Sequence, residues 1–123
     1  MNSITCAFIG LGKMGRELCG RIGGAGYRTL AYDLDTEASK YAEESYKNVT
    51  SSALLPAVKN SAVVFSCLPN SHHVSEVVNN LLQQEGTLNK VQYWLDTTSG
   101  HPSESQKLAS ELMSEDIIFF DCA

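Results

Sequence analysis

The chain has 123 residues, 43% of them apolar and 19% charged, which suits a single globular domain with a core of its own. A net charge of −5, with nine scattered Lys and Arg, excludes the clustered basic surface that a nucleic-acid backbone requires. No stretch comes near the roughly 18 consecutive apolar residues of a membrane span, so no membrane partner is expected.

The first residues, Met1-Asn2-Ser3-Ile4-Thr5, run directly into strand-like sequence, which leaves no room for a secretory or transit leader. A chain whose leader had been removed would read the same way. The expected compartment is therefore the cytoplasm, with the mitochondrial matrix as the alternative. Ile4 to Ile9 reads as a buried first strand. A glycine-rich turn follows, and then a helix from Met14 to Gly24, ended by Gly23, Gly24 and Gly26. Arg28 to Tyr32 is the second strand. Thr36 to Tyr46 is the second helix, with Thr36 as its N-cap. Asn48 to Thr50 is a brief third strand, and Ser52 to Lys59 is a short helix whose start is blurred by Pro56. Ala62 to Leu68 is a strongly apolar fourth strand. Ser71 to Gln84 is a helix with an apolar face made by Val74, Val77, Val78, Leu81 and Leu82. Gln92 to Asp96 is the fifth strand, Pro102 to Met113 a helix with proline at its first position, and Ile117 to Phe120 the sixth strand. Trp94, Phe119 and Phe120 read as core residues. Strands alternating with helices over one domain, residues 1–123, predict an α/β doubly wound parallel sheet of the Rossmann type, six strands in the order 3-2-1-4-5-6.

Four cysteines, Cys6, Cys19, Cys67 and Cys122, contain no C-x-x-C pair and have no His at zinc-ligand spacing. All four are read as reduced structural thiols in a reducing intracellular compartment, with Cys6 and Cys67 inside apolar runs. His72 and His73 are neighbours on a helix and face different ways, so they make no metal pair. No metal site is expected.

The motif that carries chemistry is Gly10-Leu11-Gly12-Lys13-Met14-Gly15, a G-x-G-x-x-G between a strand and a helix. Gly10 makes the tight turn, Gly12 lets the backbone approach a pyrophosphate, and Gly15 lets the helix pack on the sheet. The helix N-terminus offers unpaired N–H groups and partial positive charge to phosphates. Asp33 follows at the end of the next strand, where its carboxylate can accept from ribose hydroxyls. The same carboxylate repels a 2′-phosphate, and Leu34 and Asp35 follow where an NADP site would place Arg. NAD is expected as the cofactor, with NADP less favoured. The plainer role for Asp33 is that of a turn residue after a strand.

Three stretches resemble the 3-hydroxyisobutyrate dehydrogenase branch of the β-hydroxyacid dehydrogenases. Phe8-Ile9-Gly10-Leu11-Gly12-Lys13-Met14-Gly15 is similar to that family's F-I-G-L-G-x-M-G, and Ala31-Tyr32-Asp33 to the Y-D of its NAD-using members. Val63-Val64-Phe65-Ser66-Cys67-Leu68-Pro69-Asn70 resembles the strand ending in L-P. The resemblance implies that Leu68, Pro69 and His73 contact the nicotinamide half of the cofactor. Leu95-Asp96-Thr97-Thr98-Ser99-Gly100-His101-Pro102 looks like D-x-S-T-x-x-P, which implies that Thr98, Ser99 and Gly100 face substrate and that Ser99 also reaches the cofactor. Here Thr98 and Ser99 exchange the family's two hydroxyl types and Gly100 replaces a branched residue. A helix-capping turn is the plainer role for this stretch, and both can hold together.

The implied activity is hydride transfer between NAD and a small 3-hydroxy acid, a β-hydroxyacid dehydrogenase reaction in which a Lys acts as general acid/base. The family's catalytic Lys, its V-S-G-G substrate segment and its helical dimer-building domain all lie past the Phe120-Asp121-Cys122-Ala123 match. Lys13 belongs to the pyrophosphate turn, so no catalytic residue is assigned. The chain is expected to bind NAD without turnover, with homo-oligomers forming through the second domain. The alternative from another class is a stand-alone dinucleotide-binding or regulatory module.

Overall fold

Six short extended segments become six strands because each is joined to the next by a segment that can return the chain across the sheet. The structure is a computed structural model and describes residues 3–122; Met1, Asn2 and Ala123, at the ends of the expected leading run and of the Phe120–Ala123 segment, lie outside the described residues. The strands are β1 (Thr5–Ile9), β2 (Arg28–Tyr32), β3 (Val49–Ser51), β4 (Val63–Ser66), β5 (Tyr93–Asp96) and β6 (Ile118–Asp121). They form one sheet in the order β3-β2-β1-β4-β5-β6, with every neighbouring pair parallel. The helices are α1 (Lys13–Gly24), α2 (Thr36–Ser45), α3 (Leu54–Lys59), α4 (Ser71–Gln83) and α5 (Pro102–Met113). The predicted Rossmann architecture and strand order are both observed.

Alternation along each strand divides the apolar side chains between two cores. Ala7 and Ile9 face one side, where Trp94 and Val64 pack under Ala57 and Val58 of α3, Val74, Val78 and Leu81 of α4, and Leu108 and Leu112 of α5. Phe8 and Ala31 face the other side, under Cys19 of α1 and Ala42 of α2. β1 is apolar and buried from Cys6 to Ile9 because it lies at the sheet's centre with helices on both faces.

Several boundaries shift for local reasons. The N-cap of α2 is Asp35, not Thr36: Asp35 has extended backbone and its carboxylate accepts the N–H of Glu37 at 3.0 Å, while Thr36 is already helical. The third helix begins at Leu54 instead of Ser52, which leaves Pro56 in the first turn, where its missing N–H has no helical partner to lose. Asn48 takes a left-handed conformation (φ 63°) and delays β3 to Val49, and Asp116 (φ 62°) stands in the same way ahead of β6. β4 ends at Ser66, so Cys67 and Leu68 belong to the loop beyond it.

Two burial expectations also change. Phe120 is 45% exposed, although Trp94 is fully buried and Phe119 packs partly against the first core. Phe120 stands in register with Leu95, Phe65 and Phe8, on the side that α4 and α5 do not cover. That side of β1, β4 and β5, beside α1, carries an apolar hollow of about 500 Å³. All four cysteines are free, as expected, but only Cys6 and Cys19 are buried; Cys67 is half-buried and Cys122 exposed. Burial pushes the Cys6 thiol up to about 11 and the Cys19 thiol up to about 12, with the nearby Cys6 adding to the latter.

Candidate functional site

Strand order reverses between β1 and β4, and the crevice beyond their carboxyl ends is where a doubly wound sheet places a ligand. A cleft of about 740 Å³ opens there, within the size range of small-molecule sites. Its floor is the Gly10–Gly15 turn. Gly10 has φ +100°, and a Cβ on it would collide with the carbonyl oxygen of Cys67. A Cβ on Gly15 would collide with the Gly10 carbonyl, so α1 packs onto the turn only because both are glycine. Gly12 differs from both. A Cβ there meets nothing within 4 Å, so the space above it is open to a ligand.

Gly12 is also the N-cap of α1, and no side chain caps this helix or places a carboxylate in its first turn. By contrast, α2 is capped by Asp35 and α4 by Asn70, whose carboxamide oxygen accepts the N–H of His73 at 3.2 Å. The first-turn N–H groups of α1 therefore face the cleft unsatisfied, with the positive end of the helix dipole behind them. Lys13 and Met14 are both exposed beside them and line the cleft.

Asp33 lies at the rim, one residue past the end of β2. Its Oδ2 accepts the N–H of Leu11 at 2.7 Å and its Oδ1 accepts the N–H of Asp35 at 2.9 Å. It is thus a turn residue and a brace of the glycine loop at once. Each oxygen retains a lone pair for a further donor. Leu34, 88% exposed, stands next to it at the cleft mouth.

The opposite wall comes from the loops after β4 and β5. Leu68, Pro69 and His73 line it, as do Thr98 and Ser99. His73 Nδ1 lies 2.9 Å from the Asn70 carboxamide oxygen, and His72 pairs with Glu76 at 2.8 Å, both exposed. Among the described residues no cluster of three or more His, Cys, Asp and Glu could hold a metal ion. Ser99 is exposed in the cleft, whereas Thr98 is 3% exposed and its hydroxyl oxygen already accepts the N–H of Leu68 at 2.9 Å.

Every singled-out residue but Gly100 lines this one cleft. Gly100 packs instead against Ser71 at the start of α4, and a Cβ on it would collide with the Ser71 hydroxyl oxygen. The N–H of His101 donates to the same hydroxyl at 3.1 Å, so Ser71 fills the place a side chain at position 100 would take. Sequence reasoning missed Leu54, Glu76, Val77 and Asn80, which also line the cleft. The last three fall at helical spacing with His73 along α4, and that spacing was the available signal.

Residues 5–123 match the family model described as the NAD binding domain of 6-phosphogluconate dehydrogenase. The mitochondrial 3-hydroxyisobutyrate dehydrogenase of Mus musculus is 31% identical over 117 residues, which cover 93% of this chain and 34% of that protein. The chain thus spans about a third of the length of the curated relatives it matches. Among solved structures, the 3-hydroxyisobutyrate dehydrogenase of Mycobacterium tuberculosis with L-serine superposes with a TM-score of 0.79 at 23% identity, covering 94% of this chain and 38% of that one. An imine reductase of Myxococcus stipitatus superposes at 0.77 as a variant with NAD+ (20% identity; 96% of this chain, 40% of that one) and at 0.75 with NADP+ (20% identity; 94% and 39%). At these identities the structural likeness bears on the fold.

Proposed function

Because the chain belongs to the family of the NAD-binding domain of 6-phosphogluconate dehydrogenase, and resembles 3-hydroxyisobutyrate dehydrogenases over nearly its whole length, we propose that its cleft binds NAD in preference to NADP and serves hydride transfer with a small 3-hydroxy acid. The observation that carries this is the uncapped N-terminus of α1, opening at the switch point beneath the free space over Gly12. The residues present fit a dinucleotide. The first-turn N–H groups of α1 hold the pyrophosphate, with Lys13 beside them as a counter-charge. Asp33 accepts from the adenosine ribose and repels a 2′-phosphate, while Leu34 and Leu54 flank the base. Leu68, Pro69 and His73 form the wall beside the ring, and the exposed Ser99 hydroxyl is available to substrate or cofactor. When bound, the nicotinamide supplies the hydride acceptor.

The chain's own residues orient the two reactants, but among the described residues no lysine stands at the ring's end of the cleft, and the His73 imidazole on that wall is held by Asn70 through Nδ1 at 2.9 Å. Lys13, the lysine lining the cleft, belongs to the pyrophosphate turn. We therefore expect this polypeptide to bind NAD without oxidising substrate, as one cofactor-binding domain over residues 1–123. No helix among the described residues is long and apolar enough to cross a membrane. A reducing compartment, cytoplasm or mitochondrial matrix, suits four free thiols. The test is a titration with NAD followed by an absorbance assay for NADH with 3-hydroxyisobutyrate present. Saturable binding without NADH is expected. Steady NADH formation overturns the non-catalytic part, and absence of binding overturns the whole.

A further inference from the structure

Beyond the ends of β4 and β5 the chain enters two loops joined by side chains that cofactor contact alone leaves unexplained. Ser66 and Asp96 are in register at the last positions of these strands, and both are buried. The Ser66 hydroxyl donates to Asp96 Oδ1 at 2.9 Å and accepts the indole N–H of Trp94 at 2.9 Å. The same Asp96 oxygen accepts the N–H of Thr98 at 3.0 Å. The Thr98 hydroxyl oxygen then accepts the N–H of Leu68 at 2.9 Å. A single run of hydrogen bonds thus leads from the sheet's interior to the backbone of the cleft wall, with Asp96 and Thr98 each only 3% exposed. A carboxylate buried so deeply is costly unless its donors are fixed, and fixed donors in a low-dielectric site hold geometry firmly.

We infer that Asp96 is a positioning residue for the nicotinamide end of the cleft, holding Thr98 so that Thr98 fixes the Leu68-Pro69 wall. The inference rests on the dinucleotide reading above. It predicts a separation between the two ends of the ligand. Asp33 is tied to Leu11 and Asp35 and shares no hydrogen bond with the Asp96–Thr98–Leu68 run. Loosening the run should weaken a ligand that carries the nicotinamide ring and spare one that lacks it.

The experiment titrates the full chain with NAD and with ADP-ribose, which has the adenosine and pyrophosphate but no nicotinamide. Thr98→Val keeps the side-chain shape and leaves the Leu68 N–H without its acceptor. NAD affinity is expected to fall about five- to tenfold while ADP-ribose affinity changes by less than about twofold. Asp96→Ala should do the same. Asp96→Asn keeps an amide oxygen able to accept from both Ser66 and Thr98, and should restore most of the preference. A purely structural role would lower the melting temperature and weaken both ligands alike. An unchanged ratio of NAD to ADP-ribose affinity in Thr98→Val overturns the inference, whether or not Asp96→Ala folds. A wild-type chain that binds both ligands equally also overturns it. A wild-type chain that binds neither overturns the dinucleotide reading itself, and this inference with it.

Discussion

Replacing Gly12 by Ala separates the space a cofactor needs from the space the fold needs. A methyl group there meets no heavy atom within 4 Å, and the backbone at φ −66°, ψ −171° suits any L residue. The structural cost is the difference between Gly and Ala at an N-cap, below about 1 kcal/mol. For a domain of this length that is under about 4 °C in Tm. Yet the methyl occupies the place where a pyrophosphate must approach the turn, so NAD affinity should fall at least about tenfold, or about 1.4 kcal/mol. Gly15→Ala reverses the pattern. Its Cβ would collide with the Gly10 carbonyl oxygen, so α1 has to move off the turn. Overpacking of that kind costs about 1–3 kcal/mol, or about 4–12 °C, and binding is lost through the distorted loop. Circular-dichroism melts and calorimetric NAD titrations read both quantities. A Gly12→Ala protein that melts more than about 4 °C lower, or that binds NAD like the wild type, would refute the assignment of this space.

Three further outcomes follow from the same geometry. Asp33→Ala strips the acceptor from the Leu11 and Asp35 N–H groups as well as from the ribose, so titrations should show NAD affinity down about tenfold or more and the gap to NADP narrowed; a widened gap contradicts it. Trp94→Phe removes the indole N–H that the Ser66 hydroxyl accepts and should cost about 1–2 kcal/mol in a urea melt, whereas no loss would mean that this link contributes nothing. The buried thiols of Cys6 and Cys19, raised to about 11 and 12 from an ordinary 9.0, keep their protons longer in the folded than in the unfolded chain. Stability should therefore be insensitive to these groups below pH about 9 and fall above it, by up to about 1.4 kcal/mol per pH unit for each thiol until its folded value is reached. Urea midpoints on either side of that pH check the sign, and a rise in alkali would contradict it.

Much of the fold was legible because local signals agreed with one another. Each of the first five strands was followed by a segment of helical period, and Arg28–Tyr32 and Pro102–Met113 fall where periodicity and Pro102 placed them. The glycine turn was readable for the same reason, since three glycines at fixed spacing leave few alternatives once a strand precedes them and a helix follows. Asp35 and Thr36 are both capping residues, and only the backbone decides between them. Phe120 reads as core from its composition, yet its exposure depends on which side of the sheet the helices cover. The contact of Gly100 with Ser71 depends on how α4 packs against the loop after β5, which local sequence does not carry. The Ser66–Asp96–Thr98–Leu68 run joins residues 30 positions apart, and period and propensity carry no information about such pairings.

The most direct test of the central claim is calorimetric titration of the unmodified chain with NAD and, separately, with NADP. Saturable binding of NAD with clear preference over NADP is the predicted result, and it would support the uncapped α1 turn and the Asp33 carboxylate acting together. Equal binding of the two would contradict the role given to Asp33. Binding of neither would contradict the dinucleotide site itself.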